Sequence, residues 1–185
     1  MAIMTAVSGE AREAHEELER LRGEVEMLAA KLDEEAFQQR PSEGRWSVGE
    51  CIDHLNQTNK VYLRKMPAAV EQAREAGLTG EGPVKRGWFA RMFLWALEPP
   101  SKMKVKAPQA FLPRPGVSKD QTMREFREIR DELGALMEKS SDLDWSRVTM
   151  PLPTVPQFKL RLGEIYAVLL AHERRHLWQM RNIIG

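Results

Sequence analysis

At 185 residues, with 42% hydrophobic and 30% charged residues, the chain has the length and composition of one ordinary globular domain with a sizeable core. Its 28 Lys and Arg against 27 Asp and Glu leave a formal charge of +1, which gives no electrostatic argument for a nucleic-acid partner. A single cysteine, Cys51, excludes an internal disulfide and suits a reducing cytoplasm.

Residues 1–10 lack the basic and apolar regions of a secretory signal. The most apolar windows, 165–171 and 88–97, fall far short of the roughly 20 residues that cross a bilayer, so no stable membrane insertion is expected. From Ser8 to about Gln39, Leu18, Leu21, Val25, Leu28 and Leu32 recur at spacings of three and four, which predicts a first amphipathic helix. Pro41-Ser42-Glu43-Gly44 stops it. Ser47, with Glu50 three residues on, is a capping-box signature for a second helix over about 48–76, with a kink or break expected at Pro67.

Residues 77–118 read as a long irregular connection containing one short helix near Trp88–Leu97. Between Pro83 and Lys119 it holds eight basic residues (Lys85, Arg86, Arg91, Lys102, Lys104, Lys106, Arg114 and Lys119) against one acid, Glu98. That bias suggests a surface that attracts an anionic small molecule; plain solvation or a membrane-surface helix are the other readings. Ser118 is placed to cap a third helix, about 119–140, whose inward residues are Met123, Phe126, Ile129 or Arg130, Leu133 and Met137. Residues 142–160 carry Pro151, Pro153 and Pro156 and read as a second extended connection, followed by a fourth helix over 160–184. Four amphipathic segments without a strand pattern predict an all-α, single-domain four-helix bundle spanning 1–185.

The fourth helix contains Ala171-His172-Glu173-Arg174-Arg175-His176, two histidines at i and i+4 on one face. Ile165, Val168 and Leu169 precede them on that face, so the imidazoles turn toward a core. Such a pair is either a metal site or a pair of exposed or core-satisfied histidines. His54 is the other histidine on a core-facing helix and the natural third ligand, whereas His15, flanked by Glu16 and Glu17, reads as a surface residue. Three histidines on one divalent ion leave a position open to water or substrate. Glu50, one turn before His54, is either the capping-box acid or an outer partner of that ring. Gln179 is a candidate substrate contact or outer partner of His176. Trp46 reads as a plug at the bundle end, and Trp178 is expected to point away.

The run Arg45-Trp46-Ser47-Val48-Gly49-Glu50-Cys51-Ile52-Asp53-His54-Leu55, together with the later Ala171-His172-Glu173-Arg174-Arg175-His176-Leu177-Trp178-Gln179, resembles the DinB/YfiT-like metal-dependent proteins. The Trp-Ser…His-Leu element and the terminal HxxxH…Gln are the two marks of that family. The resemblance implies an up-down-down-up bundle, often a homodimer, holding nickel, zinc or manganese on three histidines, here His54, His172 and His176. It also implies a metal-dependent enzyme, a transferase moving a low-molecular-weight thiol onto an electrophilic small molecule. A metal-dependent hydrolase and a non-catalytic metal-binding or interaction protein are the alternatives.

Overall fold

The computed structural model describes residues 9–80, 84, 86–100 and 106–185. Ser47 opens α3 (Val48–Leu63) with the capping box its sequence predicts: its hydroxyl accepts from the Glu50 amide at 3.1 Å, and the Glu50 carboxylate accepts from the Ser47 amide at 2.9 Å. The expected break follows: α3 ends at Leu63 and α4 (Met66–Glu75) begins with Pro67 in its first turn, where a missing amide hydrogen costs nothing. Ser118 caps α6 (Lys119–Lys139), and α7 (Leu162–Ile184) completes the bundle with α1 (Gly9–Ala30).

Ion pairs and hydrogen bonds fix how these rods run. Glu17–Arg174 and Glu24–Arg181 climb together along α1 and α7, which are therefore parallel. Asn56 to Thr122 and Lys60 to Glu125 do the same for α3 and α6. His15–Glu138 and Arg22–Asp131 climb in opposite senses, so α1 and α6 are antiparallel. Each of α1 and α3 packs against both α6 and α7, around a core that includes Leu18, Val25, Ile52, Leu55, Phe126, Leu133, Ile165 and Leu169.

Two expected boundaries change. The first helix stops at Ala30, and Asp33 starts a separate short helix, α2 (Glu34–Gln38), by accepting from the Ala36 amide at 2.8 Å. The apolar period ran on through Leu32, but an aspartate able to cap a new helix competes with continuation of the old one. The helix α2 buries Phe37 completely against the start of α3, where Gly49 makes room for it. A Cβ on Gly49 would stand 2.6 Å from the Phe37 ring and 3.2 Å from its carbonyl. Gly49→Ala is therefore expected to destabilise the chain by about 1–3 kcal/mol in urea denaturation; an unchanged midpoint would show that the ring moves aside freely.

The second boundary lies before α7. Residues expected to be only extended connection form a small antiparallel hairpin, β1 (Thr149–Pro151) with β2 (Lys159–Arg161), in register Met150 opposite Leu160. Both of these side chains are buried while their strand neighbours are not, the alternation of a half-buried strand.

The long connection is largely built into the bundle. Its helix α5 (Trp88–Leu97) lies where the sequence placed it and packs on α7 through buried Ala90 and Leu94. A 3-10 turn, Gln109–Phe111, lies against α3. With this cover α3 is buried on nearly every side, Asp53, Asn56 and Asn59 included. Lys85, Lys102 and Lys104 of the basic segment lie outside the described residues. Among the described residues no helix is long and apolar enough to cross a membrane.

Candidate metal centre

One turn of α7 separates His172 from His176, and α3 carries His54 to meet them across the bundle. The Nε2 atom of His172 lies 3.1 Å from Nε2 of His54 and 3.1 Å from Nε2 of His176. One nitrogen from each ring falls within 4.8 Å of the others. The rings meet edge to face, with centroids 4.6 to 4.9 Å apart. A tetrahedral ion with bonds of about 2.0–2.1 Å holds its nitrogen ligands roughly 3.3 Å apart, close to the two 3.1 Å spacings that His172 makes.

His54 and His176 are buried, and His172 keeps partial exposure. Burial is the largest cause that lowers all three pKa values; repulsion from the neighbouring rings adds to it at His172 and His176, which fall well below the ordinary histidine range. At neutral pH the rings are therefore uncharged and keep lone pairs. The His54 Nδ1 atom lies 2.5 Å from the Phe111 carbonyl oxygen, which can only accept, so Nδ1–H donates and Nε2 holds the lone pair that faces the other rings. The Nδ1 atom of His176 is buried without a hydrogen-bond partner among the described residues. Gln179, one turn on, favours the charged form of that ring, yet gives Nδ1 no hydrogen bond of ordinary geometry. Three convergent imidazole nitrogens in a desolvated pocket fit a divalent cation.

Trp46 borders this cluster directly. Its ring centroid is 4.7 Å from that of His54 and 6.0 Å from that of His176, so the residue read as a plug also forms a wall of the site. Arg175 donates to the Ala96 carbonyl at 2.9 Å, and its positive charge disfavours protonation of each of the three rings. Trp178 turns outward as expected.

Other sequence candidates fall elsewhere. Both Glu50 oxygens serve the helix cap and Arg40, interactions that outweigh burial and hold its carboxyl below the usual range. The outer-partner role for Glu50 thus gives way to the capping role. Cys51 is buried, and desolvation pushes its thiol up, away from reactivity at neutral pH. His15, expected at the surface, is half-buried between α1 and α6, with Nε2 3.5 Å from Glu138 and remote in sequence and contacts from the histidine cluster.

Sequence reasoning did not identify the polar network beside the histidines. The Glu173 carboxylate accepts from Arg130 at 2.6 Å and from Asn59 at 2.9 Å, and Arg130 also donates to Asn56 at 2.6 Å. Arg130 is fully buried, its guanidinium 3.7 Å from the Phe126 ring centroid, and its Nε has no partner among the described residues. The sequence signals were Arg130, an alternative to Ile129 on the inward face of its helix, and two asparagines one turn apart on the helix that carries His54. This network ties α3, α6 and α7 together at the level of the site.

A family model described as the DinB superfamily matches residues 17–180. The uncharacterized protein YuaE of Bacillus subtilis (strain 168) is 27% identical over 153 residues, covering 82% of this chain and 85% of the relative. In fold, the chain is similar to a solved structure described as YfiT from Bacillus subtilis, a probable metal-dependent hydrolase with an unusual four-helix bundle topology. That similarity has a TM-score of 0.60 at 12% identity and spans 99% of this chain and 91% of the other.

Proposed function

The chain belongs to the DinB superfamily, and from that premise we propose that it is a divalent-metal-dependent enzyme whose ion is held by His54, His172 and His176. The convergence of three neutral imidazoles on one point is the observation that carries this reading. Nickel and zinc suit an all-imidazole donor set best, with manganese the harder alternative. A bound ion of this kind supplies Lewis acidity, which favours the deprotonated form of water or of a thiol.

The residues around the site favour an external thiol as the nucleophile. Cys51 is desolvated and protonated at neutral pH. The nearby carboxylates are engaged: Glu50 by its cap and Arg40, Asp53 by Arg114, and Glu173 by Arg130. A general base for water is thus not supplied by these acids, whereas a coordinated thiol loses its proton outright and needs none. We therefore propose thiol transfer to an electrophilic small molecule, with a low-molecular-weight thiol as cosubstrate. Trp46 offers an apolar wall for the electrophile, Gln179 a polar contact, and Arg175 a positive field suited to an anionic substrate. The similarity to YfiT, described as a probable metal-dependent hydrolase, supports the alternative, hydrolysis.

Turnover of an activated electrophile by nickel- or zinc-loaded protein, with and without an added thiol, separates these readings. Thiol-dependent conjugation is the expected result. Thiol-independent hydrolysis would replace transfer with the alternative, and metal binding with no turnover in either arm would make this a non-catalytic metal-binding protein.

The proposal extends to a cytoplasmic homodimer. On α5, Trp88 is 77% exposed and Met92 46%, and large apolar side chains of this kind are enriched at interfaces. Light scattering is expected to give twice the 21.2 kDa of the chain; a monomeric mass would leave this face as ordinary surface.

A further inference from the structure

The segment 109–117 runs from the 3-10 turn to the cap of α6, and its contacts with α3 centre on His54 and its neighbour. Phe111 offers its backbone carbonyl to His54 Nδ1 at 2.5 Å. Three residues later the Arg114 amide donates to the Asp53 carboxylate at 2.6 Å, and the Arg114 guanidinium donates to the same carboxylate, also at 2.6 Å. Asp53 is almost completely buried. Arg114 also reaches Glu125 at 2.9 Å, and Glu125 pairs in turn with Lys60 of α3. The far end is tied by Gln38, which donates to the Val117 carbonyl at 2.7 Å.

The local sequence makes this segment stiff. In Pro113-Arg114-Pro115-Gly116 each proline fixes its own φ, and Pro115 holds Arg114 in extended conformation. Gly116, at φ +70°, then makes the turn that delivers Ser118 to its cap. Extended backbone at Arg114 lets its amide and its guanidinium converge on one carboxylate, a fixed two-part grip.

We propose that 109–117 is a positioning strap for the candidate metal centre: Arg114, gripping Asp53, holds the Phe111 carbonyl against His54, and that carbonyl keeps His54 in the Nδ1–H tautomer with Nε2 free to bind an ion. This rests on the metal reading above. Arg114 belongs to the basic segment whose charge suggested anion attraction, but here its charge is matched by Asp53 and Glu125. Its role is to orient a ligand through a backbone atom. An outer partner that fixes the tautomer of a ligating histidine typically changes metal affinity 10–100-fold when lost.

The test compares wild type, Arg114→Ala and Arg114→Lys in the full chain by two readouts. The first is the tautomer of His54 in chelator-treated protein, from nitrogen-15 imidazole spectra assigned with His54→Gln. The second is zinc affinity in competition with a chromophoric chelator. Wild type is expected to show the Nδ1–H form. Arg114→Ala should show mixed tautomers and about 10–100-fold weaker zinc binding, and Arg114→Lys should recover part of both. A wild-type tautomer and affinity in Arg114→Ala would overturn the strap. So would weaker affinity with an unchanged tautomer, which marks a merely structural loss. If wild type takes up no zinc at all, the metal reading fails and the tautomer comparison alone decides the strap.

Discussion

Glu173→Ala is expected to cost about 3–5 kcal/mol of folding stability, the range for removing one partner of a buried ion pair. The size follows from what remains. Arg130 is fully buried and its Nε is already without a partner among the described residues, so losing the carboxylate 2.6 Å away leaves a desolvated cation with Asn56 as its main acceptor. Asn59 loses its acceptor in the same step. Because a buried pair can be replaced at little cost by apolar residues of similar volume, Arg130→Met with Glu173→Leu should recover part of the stability that the single variant loses, the remainder being the cost of Asn56 and Asn59 losing their partners in the pair. Urea denaturation of the two variants checks both statements. A loss below about 1 kcal/mol in Glu173→Ala would place water beside Arg130 and remove the network from the list of what holds α3, α6 and α7 together.

His176→Ala is expected to leave a folded bundle that has lost its metal affinity by more than the roughly 10–100-fold typical of an outer partner. Alanine is the best helix former, so α7 should persist, and two imidazoles hold a divalent ion far less well than three. His15→Ala should keep wild-type affinity, since that ring lies at the α1–α6 contact near Glu138. Circular dichroism and zinc titration of both variants provide the comparison. Equal affinity in wild type and His176→Ala would remove His176 from the proposed ligand set.

The histidine cluster was legible because its signals are side-chain signals at fixed spacing: an i, i+4 pair on an apolar face, and a third ring on another core-facing helix. The cap at Ser47 and the break at Pro67 were legible for the same reason, since each depends on residues within one turn. What the sequence hid acts across the fold or through the backbone. Arg130 and Glu173 neutralise each other across 43 residues of chain, a pairing that no local spacing shows. Phe111 acts through its carbonyl, which leaves no trace in residue type. The break after Ala30 was hidden because Leu32 continues the apolar period, and the hairpin because three-residue strands show too little alternation to register. The anion-attracting reading of residues 83–119 summed charges without knowing that Arg114 would face Asp53 and Glu125.

The central claim is that three imidazoles hold one divalent ion, and the most direct measurement is elemental analysis of untagged protein combined with X-ray absorption at the edge of the metal found. The account predicts close to one nickel, zinc or manganese ion per chain, with three nitrogen ligands at about 2.0–2.3 Å. Protein that stays metal-free after equilibration with each of these ions, or that binds one without imidazole scattering, would contradict it.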